Sequence, residues 1–230
     1  SLEQEKEIIE SIIQQNIAGV IASLSMESQD ASHFSQLEQY GIPLVGFDRI
    51  NPSLKISSVV LDNESALKEA VLQMHGKGFS KMAYLSGMSS IHLFQERQKG
   101  YYAGLKLINS KYEKCINMVD GFSIEQGFES TEKLFRECER PDALIFDSHI
   151  LAWGGLSFLR TQKNDLLDTI GIASFGGYPW MSLTVPNILF IQQPEEKMAE
   201  ASFDLITEAI LNPSTKTTKS KMFKAKLFNT

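Results

Sequence analysis

The chain has 230 residues, enough to bury a sizeable core either as one large α/β unit or as two small lobes. Hydrophobic residues make up 43% and charged residues 22%, which excludes a disordered or fibrous chain. Lys and Arg total 22 against 28 Asp and Glu, a net charge of −6; because phosphate contacts dominate nucleic-acid affinity, these residues alone are not expected to bind DNA well.

Ile8, Ile9, Ile12 and Ile13 share one face of an opening helix that Asn16 can close. Residues 17–22 then read as a fully buried strand. Phe34, Leu37 and Tyr40 mark a second helix, stopped by Gly41 and Pro43, and residues 44–47 form the next strand. Residues 59–61 are strand-like, and Asp62 or Asn63 can cap a helix carrying Leu67, Ala70, Val71 and Met74. Gly76 and Gly78 end that helix ahead of the apolar run 82–85. In the second half, Tyr101, Leu105 and Ile108 share a helical face before a strand at 116–119. A helix through Ile124, Phe128, Thr131, Leu134 and Phe135 leads to the strand 143–146, then a helix across 151–159 and a strand at 170–175. Residues 188–191 are short and extended, and Met198, Ala201, Leu205 and Ala209 line a helix closed by Asn212 and Pro213. A polar stretch leads into a last alternating segment, 222–228. Strands that lack polar alternation, each separated by a helix, predict an α/β fold with parallel sheet covered on both faces.

Two cysteines, Cys115 and Cys138, cannot make a disulfide framework, so a thiol-tolerant cytosol is the simpler expectation. No apolar run approaches the ~20 residues of a membrane span, and the polar, acidic first ten residues carry no visible signal peptide. The chain is therefore expected to be soluble and cytoplasmic, with no membrane partner.

Enzyme signatures are missing. There is no Gly-x-Gly-x-x-Gly after a strand and no Gly-rich Lys-Ser/Thr loop, and Gly76-Lys77-Gly78 has the wrong spacing and follows a helix. His33, His75, His92 and His149 are scattered, with no His-x-x-x-His or Cys-x-x-Cys, and no Gly-x-Ser-x-Gly elbow is present. Most carboxylates lie on polar helix faces, where a solvated surface is the simpler reading. The expectation is a non-enzymatic protein with no catalytic residues, no metal and no cofactor.

What stands out is a series of phrases in fixed order. Asp48-Arg49 follows GIPLVGF, then come VVLDNESALKEAV, HGKGFSKMAYLSG and ERQKGYYAGL. Further on stand GFSIEQGFES, RPDALIFDSHILAWGGL, IGIASFGG and PNILFIQQPEEKMAEAS. This concatenation resembles the effector-binding core of LacI/GalR-type transcriptional regulators, itself similar to periplasmic sugar-binding proteins, over nearly the whole chain. Each phrase alone is common; their order and their strand and helix contexts carry the match.

The resemblance implies a two-lobed periplasmic-binding-protein-like fold with parallel sheets flanked by helices and a ligand in the cleft. It places the crossings near 87–92, 191–194 and 221–223. The first lobe would be 1–88 with 193–221, lacking the family's first strand and helix, and the second 89–192 with 222–230. The family's upstream helix-turn-helix would lie outside this chain, so operator DNA would be bound only through that missing domain, by a homodimer. A periplasmic-type solute-binding protein is the alternative with the same fold.

Several site residues follow by resemblance. Arg97 matches the arginine that donates to ligand hydroxyls or a carboxylate, against the alternative of a surface arginine. In a wet cleft, its removal would change stability little. Asp48, directly after a strand, matches an acceptor of ligand hydroxyls or is a simple turn residue. Phe122 matches an aromatic that stacks on the ligand ring, or else fills core. Gln193 matches a cleft-facing crossing residue, or packs a hinge. Ser148-His149 stand where the family often has Asn-Asp, and Ser174-Phe175-Gly176-Gly177 replace its Gly-Phe-Asp-Asp. Gly78-Phe79 stand for its usual Gly-His. The lost carboxylate counts against a typical neutral sugar, and His149 with Trp153 or Trp180 would suit a flatter or anionic effector. The implied partner is a small-molecule effector, a sugar or related metabolite, bound by Arg97, Asp48, Phe122, Ser148, His149, Gly176 and Gln193.

Overall fold

The computed structural model describes residues 1–26, 31–112, 115–162, 166–177, 181, 185, 188–214 and 217–229. Its elements run α1 (Leu2–Gln14), β1 (Val20–Ala22), a 3-10 turn (Ser32–Phe34), α2 (Ser35–Gln39), β2 (Leu44–Phe47) and β3 (Ser57–Leu61). There follow α3 (Asn63–Gly76), β4 (Met82–Ser86), α4 (His92–Leu107), β5 (Ile116–Met118), α5 (Ile124–Glu137), β6 (Ala143–Phe146) and α6 (His149–Thr161). The chain ends with α7 (Leu166–Thr169), β7 (Gly171–Phe175), β8 (Ile188–Gln192), α8 (Glu195–Leu211), β9 (Ser220–Phe223) and β10 (Lys226–Asn229). The strand and helix order follows the sequence pattern, because apolar runs and 3.6-residue periodicity are local signals.

The chain divides into two compact units. The first comprises residues 1–62, 90–93 and 194–223, and the second 63–89, 94–193 and 224–230.

The first unit holds a four-stranded parallel sheet in the order β1-β2-β3-β9. Ser1 opens α1 with a reciprocal capping box to Gln4, and Ile9 is the buried anchor of that helix. Ile9 packs with Leu24, Ala31, Phe34, Leu37 and Ile42 in one apolar cluster. The expected strand at 17–22 is shorter and is not fully buried: β1 is an edge strand, and Ile17 and Ile21 stay exposed.

The second unit holds a six-stranded sheet in the order β10-β8-β7-β6-β4-β5, parallel except for β10. Strands β4, β6 and β7 are buried along their whole length, as strands covered on both faces must be. Gly100 explains part of the ERQKGYYAGL phrase, since a methyl there would collide with the Glu64 carbonyl oxygen where α4 crosses α3. Tyr101 completes the seat by donating its hydroxyl to the Met82 carbonyl at 2.7 Å.

Three expectations are corrected. Residues 63–88 lie in the second unit, so the division falls between 62 and 63 and not at 88: β4 pairs with β5 and β6, and α3 packs on β7 and β8. The segment 222–228 is two strands in different sheets, β9 beside β3 and β10 beside β8. The two cysteines are not separate thiols, because Cys115 and Cys138 form a disulfide across a Cα separation of 5.9 Å. Among the described residues no helix is long and apolar enough to cross a membrane, and no group of three or more His, Cys, Asp or Glu could hold a metal ion.

Candidate functional site

The parallel strands of the second unit end at one edge of the sheet, and side chains placed just after them converge there. Gly87 follows β4, the segment 119–123 follows β5, Asp147-Ser148-His149 follow β6, Gly176 follows β7 and Gln193 follows β8.

Arg97, on the second turn of α4, is the centre of this edge and is only 4% exposed. Its Nε donates to Asn63 Oδ1 at 2.8 Å, and its Nη1 donates to the Asp147 carbonyl at 3.2 Å and to Asp147 Oδ1 at 3.4 Å. The guanidinium carbon lies 3.5 Å from the centroid of the Phe175 ring and 5.7 Å from that of Phe94, so aromatic faces flank the cation. Asp147 also accepts from the Tyr84 hydroxyl at 2.6 Å and the Gly87 amide at 2.8 Å. Burial, then the Asp147 charge, holds the Tyr84 phenol protonated well above its ordinary range. A buried carboxylate with three donors, one of them a cation, is a satisfied network, which makes this edge rigid.

Around that network the resemblance-based residues fall as follows. Phe122 is partly buried against the apolar core and packs on Phe94, with ring centroids 5.5 Å apart and a tilt of 44°. Ser148 is the N-cap of α6, its hydroxyl accepting from the Ile150 amide at 3.1 Å, which leaves its own O–H to donate. His149 begins α6 and faces Gly176, whose φ of 64° and missing side chain leave room beside the imidazole. The Gly176 amide donates to the Ile191 carbonyl at 3.0 Å, joining the ends of β7 and β8 ahead of Gln193. Arg97, Phe122, Ser148, His149 and Gly176 are thus brought together, and Gln193 shares their edge. Trp153 sits on α6, partly exposed, while Trp180 lies outside the described residues.

Asp48 belongs to the first unit. It follows β2 with a left-handed φ of 58°, a conformation Asp tolerates better than most residues, and its amide donates to the Val59 carbonyl at 2.9 Å. The corresponding strand-end position in that sheet is therefore a fixed turn bearing a carboxylate.

The sequence does not mark Asp147, Asn63, Tyr84, Phe94 or Phe175 as site residues, although Asn63 reads as a helix cap and Phe175 falls in the phrase Ser174-Phe175-Gly176-Gly177. Asp147 had a signal, a lone acid directly after the wholly apolar run ALIF. The other four had no signal of a place in the site, since their role is to hold Arg97 and Asp147.

The two α/β units, each with parallel sheet and polar groups at its strand ends, have a periplasmic-binding-protein-like fold. No protein-family model matches the chain. It is similar to the probable transcriptional repressor ExuR of Bacillus subtilis, 21% identical over 91% of this chain and 63% of that protein. It is also similar to the transcriptional repressor CytR of Escherichia coli, 25% identical over 90% of this chain and 60% of the relative. Among solved structures, the Cra regulator of Pseudomonas putida in complex with fructose 1-phosphate superposes with a TM-score of 0.85 at 18% identity, covering all of this chain and 83% of that one. The regulator CelR in complex with cellobiose gives 0.86 at 20% identity, over 99% of this chain and 69% of that one. The resemblance to LacI-type regulators is borne out, and both of these curated relatives are transcriptional repressors. The chain spans about three fifths of the length of the curated relatives it matches.

Proposed function

We propose that this chain is the effector-sensing core of a LacI-type transcriptional regulator, cytoplasmic and homodimeric in the parent protein, which controls operator binding by a helix-turn-helix domain outside these residues. The effector is a sugar or related metabolite. The observation that carries this reading is the strand-end edge of the second unit, which Phe122, Ser148, His149 and Gln193 share with a buried Arg97–Asp147 pair. Such an edge offers an aromatic face, hydroxyl and imidazole donors and a preorganised cation, which is how small polar metabolites are recognised. Repressors among the curated relatives, and sugar ligands in two fold neighbours, support the same class.

A thermal-shift panel of neutral sugars, sugar acids, sugar phosphates and nucleosides tests it, since a ligand that binds the native state alone raises the melting temperature by mass action. One class should stabilise the chain, and Phe122→Ala and His149→Ala should abolish that shift while leaving the unliganded melting temperature near wild type. A stabilising ligand whose effect survives both substitutions places the site elsewhere. At a net charge of −6 the chain itself should show no sequence-specific operator affinity at physiological salt, whereas the full-length parent should.

A further inference from the structure

Cys115 and Cys138 are the two cysteines of the chain, and nothing in the proposed effector site uses them. Cys115 immediately precedes β5 and is fixed in the sheet: its carbonyl accepts from the Tyr84 amide at 2.9 Å and from the Tyr101 hydroxyl at 3.4 Å. Cys138 caps the C-terminus of α5, its amide donating to the Leu134 carbonyl at 3.0 Å. Between them the chain runs along β5 toward the strand-end edge, passes through the segment that holds Phe122 and the Ser123 N-cap, and returns along α5. The bond therefore closes a ring over a separation of 23 residues, with its clasp at the end remote from Phe122. Among the described residues β5 is an edge strand, paired in the sheet with β4. Cys115 is 6% exposed whereas Cys138 is partly exposed, so an external reagent reaches the Cys138 sulfur first.

We propose that Cys115 and Cys138 form a reversible thiol–disulfide pair, exchanged with low-molecular-weight disulfides, that sets how firmly β5 and the Phe122 segment are held. On oxidation the Cys138 thiolate attacks one sulfur of a disulfide RSSR, forming the mixed disulfide Cys138-S-S-R and releasing RS⁻. The Cys115 thiolate then attacks the Cys138 sulfur, forming the protein disulfide and expelling the second RS⁻. Two electrons pass from the cysteines to the reagent, and the two thiol protons end on two molecules of RSH. Reduction by two thiols is the reverse. Closing the ring removes freedom from the open chain and restrains local opening of β5, so the oxidised form is the more stable and its 116–123 segment the better protected. This inference stands apart from the effector reading, because its readouts need no effector.

The test uses the whole chain equilibrated in glutathione mixtures from fully reduced to fully oxidised, quenched with acid, alkylated and weighed by mass spectrometry. A single transition between doubly alkylated and unalkylated protein is expected, governed by the square of the glutathione concentration over that of its disulfide. Cys115→Ser should stop at a glutathione adduct on Cys138. The oxidised wild type should melt several degrees above the reduced form, with slower amide exchange at 116–123, and both differences should vanish in Cys115→Ser. Thiols that stay free in oxidised glutathione overturn the proposal. So does a bond that reduced glutathione leaves intact, which makes it a constitutive staple, and so does reversible exchange with no change in melting or amide exchange.

Discussion

Arg97 and Asp147 illustrate how burial changes the meaning of a residue. By resemblance Arg97 was expected in a wet cleft, where truncation costs little, but Asp147 beside it has a fully buried side chain. Removing the cation leaves that carboxylate with Tyr84 and Gly87 as donors and no counter-charge, and breaking a buried pair from one side costs about 3–5 kcal/mol. Arg97→Ala should therefore lower unfolding stability by roughly 3 kcal/mol or more in urea titrations. Adding Asp147→Asn to that variant should recover part of the loss. A loss under ~1 kcal/mol for the single variant would show that the pair is solvated and that the wet-cleft expectation was right. Loss of effector binding by this variant would for the same reason not identify a ligand contact, which is why Phe122 and His149 carry the binding test.

Helices α5 and α6 are the elements on which the candidate edge depends, because α6 starts at Ser148 and α5 starts just after Phe122. They lie close enough that a methyl at Gly154 would collide with the Ile124 carbonyl oxygen and come within 2.7 Å of the Phe128 amide nitrogen. Both are backbone atoms, so no rotamer change relieves the overlap. Gly154→Ala is expected to cost about 1–3 kcal/mol, as overpacking does, despite alanine's better helix propensity. Denaturant midpoints measure it; an unchanged or raised midpoint would mean that the two helices separate freely. At that same end of α5, Ser123 and Gln126 form a reciprocal capping box. Ser123→Ala should cost about 1 kcal/mol and should loosen the Phe122 segment, seen as faster amide exchange there.

For the molecule as a whole, alkaline pH should weaken the second unit, which holds three tyrosines with raised pKa values. Burial raises the Tyr84 and Tyr101 phenols well above their ordinary range, and burial with the Glu139 and Asp142 charges pushes Tyr112 up to about 12. Unfolded tyrosines ionise near ~10. Below that pH both states hold these protons and the contribution to stability is complete. Between ~10 and the raised folded values, the unfolded chain has released protons that the folded chain keeps, so stability falls as pH rises. Denaturant midpoints measured in steps above pH ~9 should decline, and of the six tyrosines three should give their ultraviolet ionisation signal only as the protein unfolds. Six tyrosines titrating together in folded protein would contradict the buried placement.

The sequence by itself determined the order and type of the elements, the α/β class and the family resemblance. Those signals are local: β2 and β6 were read to the residue because LVGF and ALIF are apolar runs bounded by turn residues, and α8 ends where Asn212 and Pro213 end it. Phe122, Ser148, His149 and Gly176 were candidates by the family resemblance, which sets them just after strand runs, where parallel sheets bind ligands. Tertiary structure decided which sheet each strand joins. Nothing within the segment 82–86 distinguishes β4 as a partner of β6 from a member of the first lobe, and nothing within 220–229 says that two neighbouring strands serve different sheets. It also decided that Arg97 is held by Asn63 and Asp147, and that Cys115 meets Cys138. Those partners stand 34, 50 and 23 positions apart, and pairing over such distances is fixed by how the whole core packs, which no window of sequence contains.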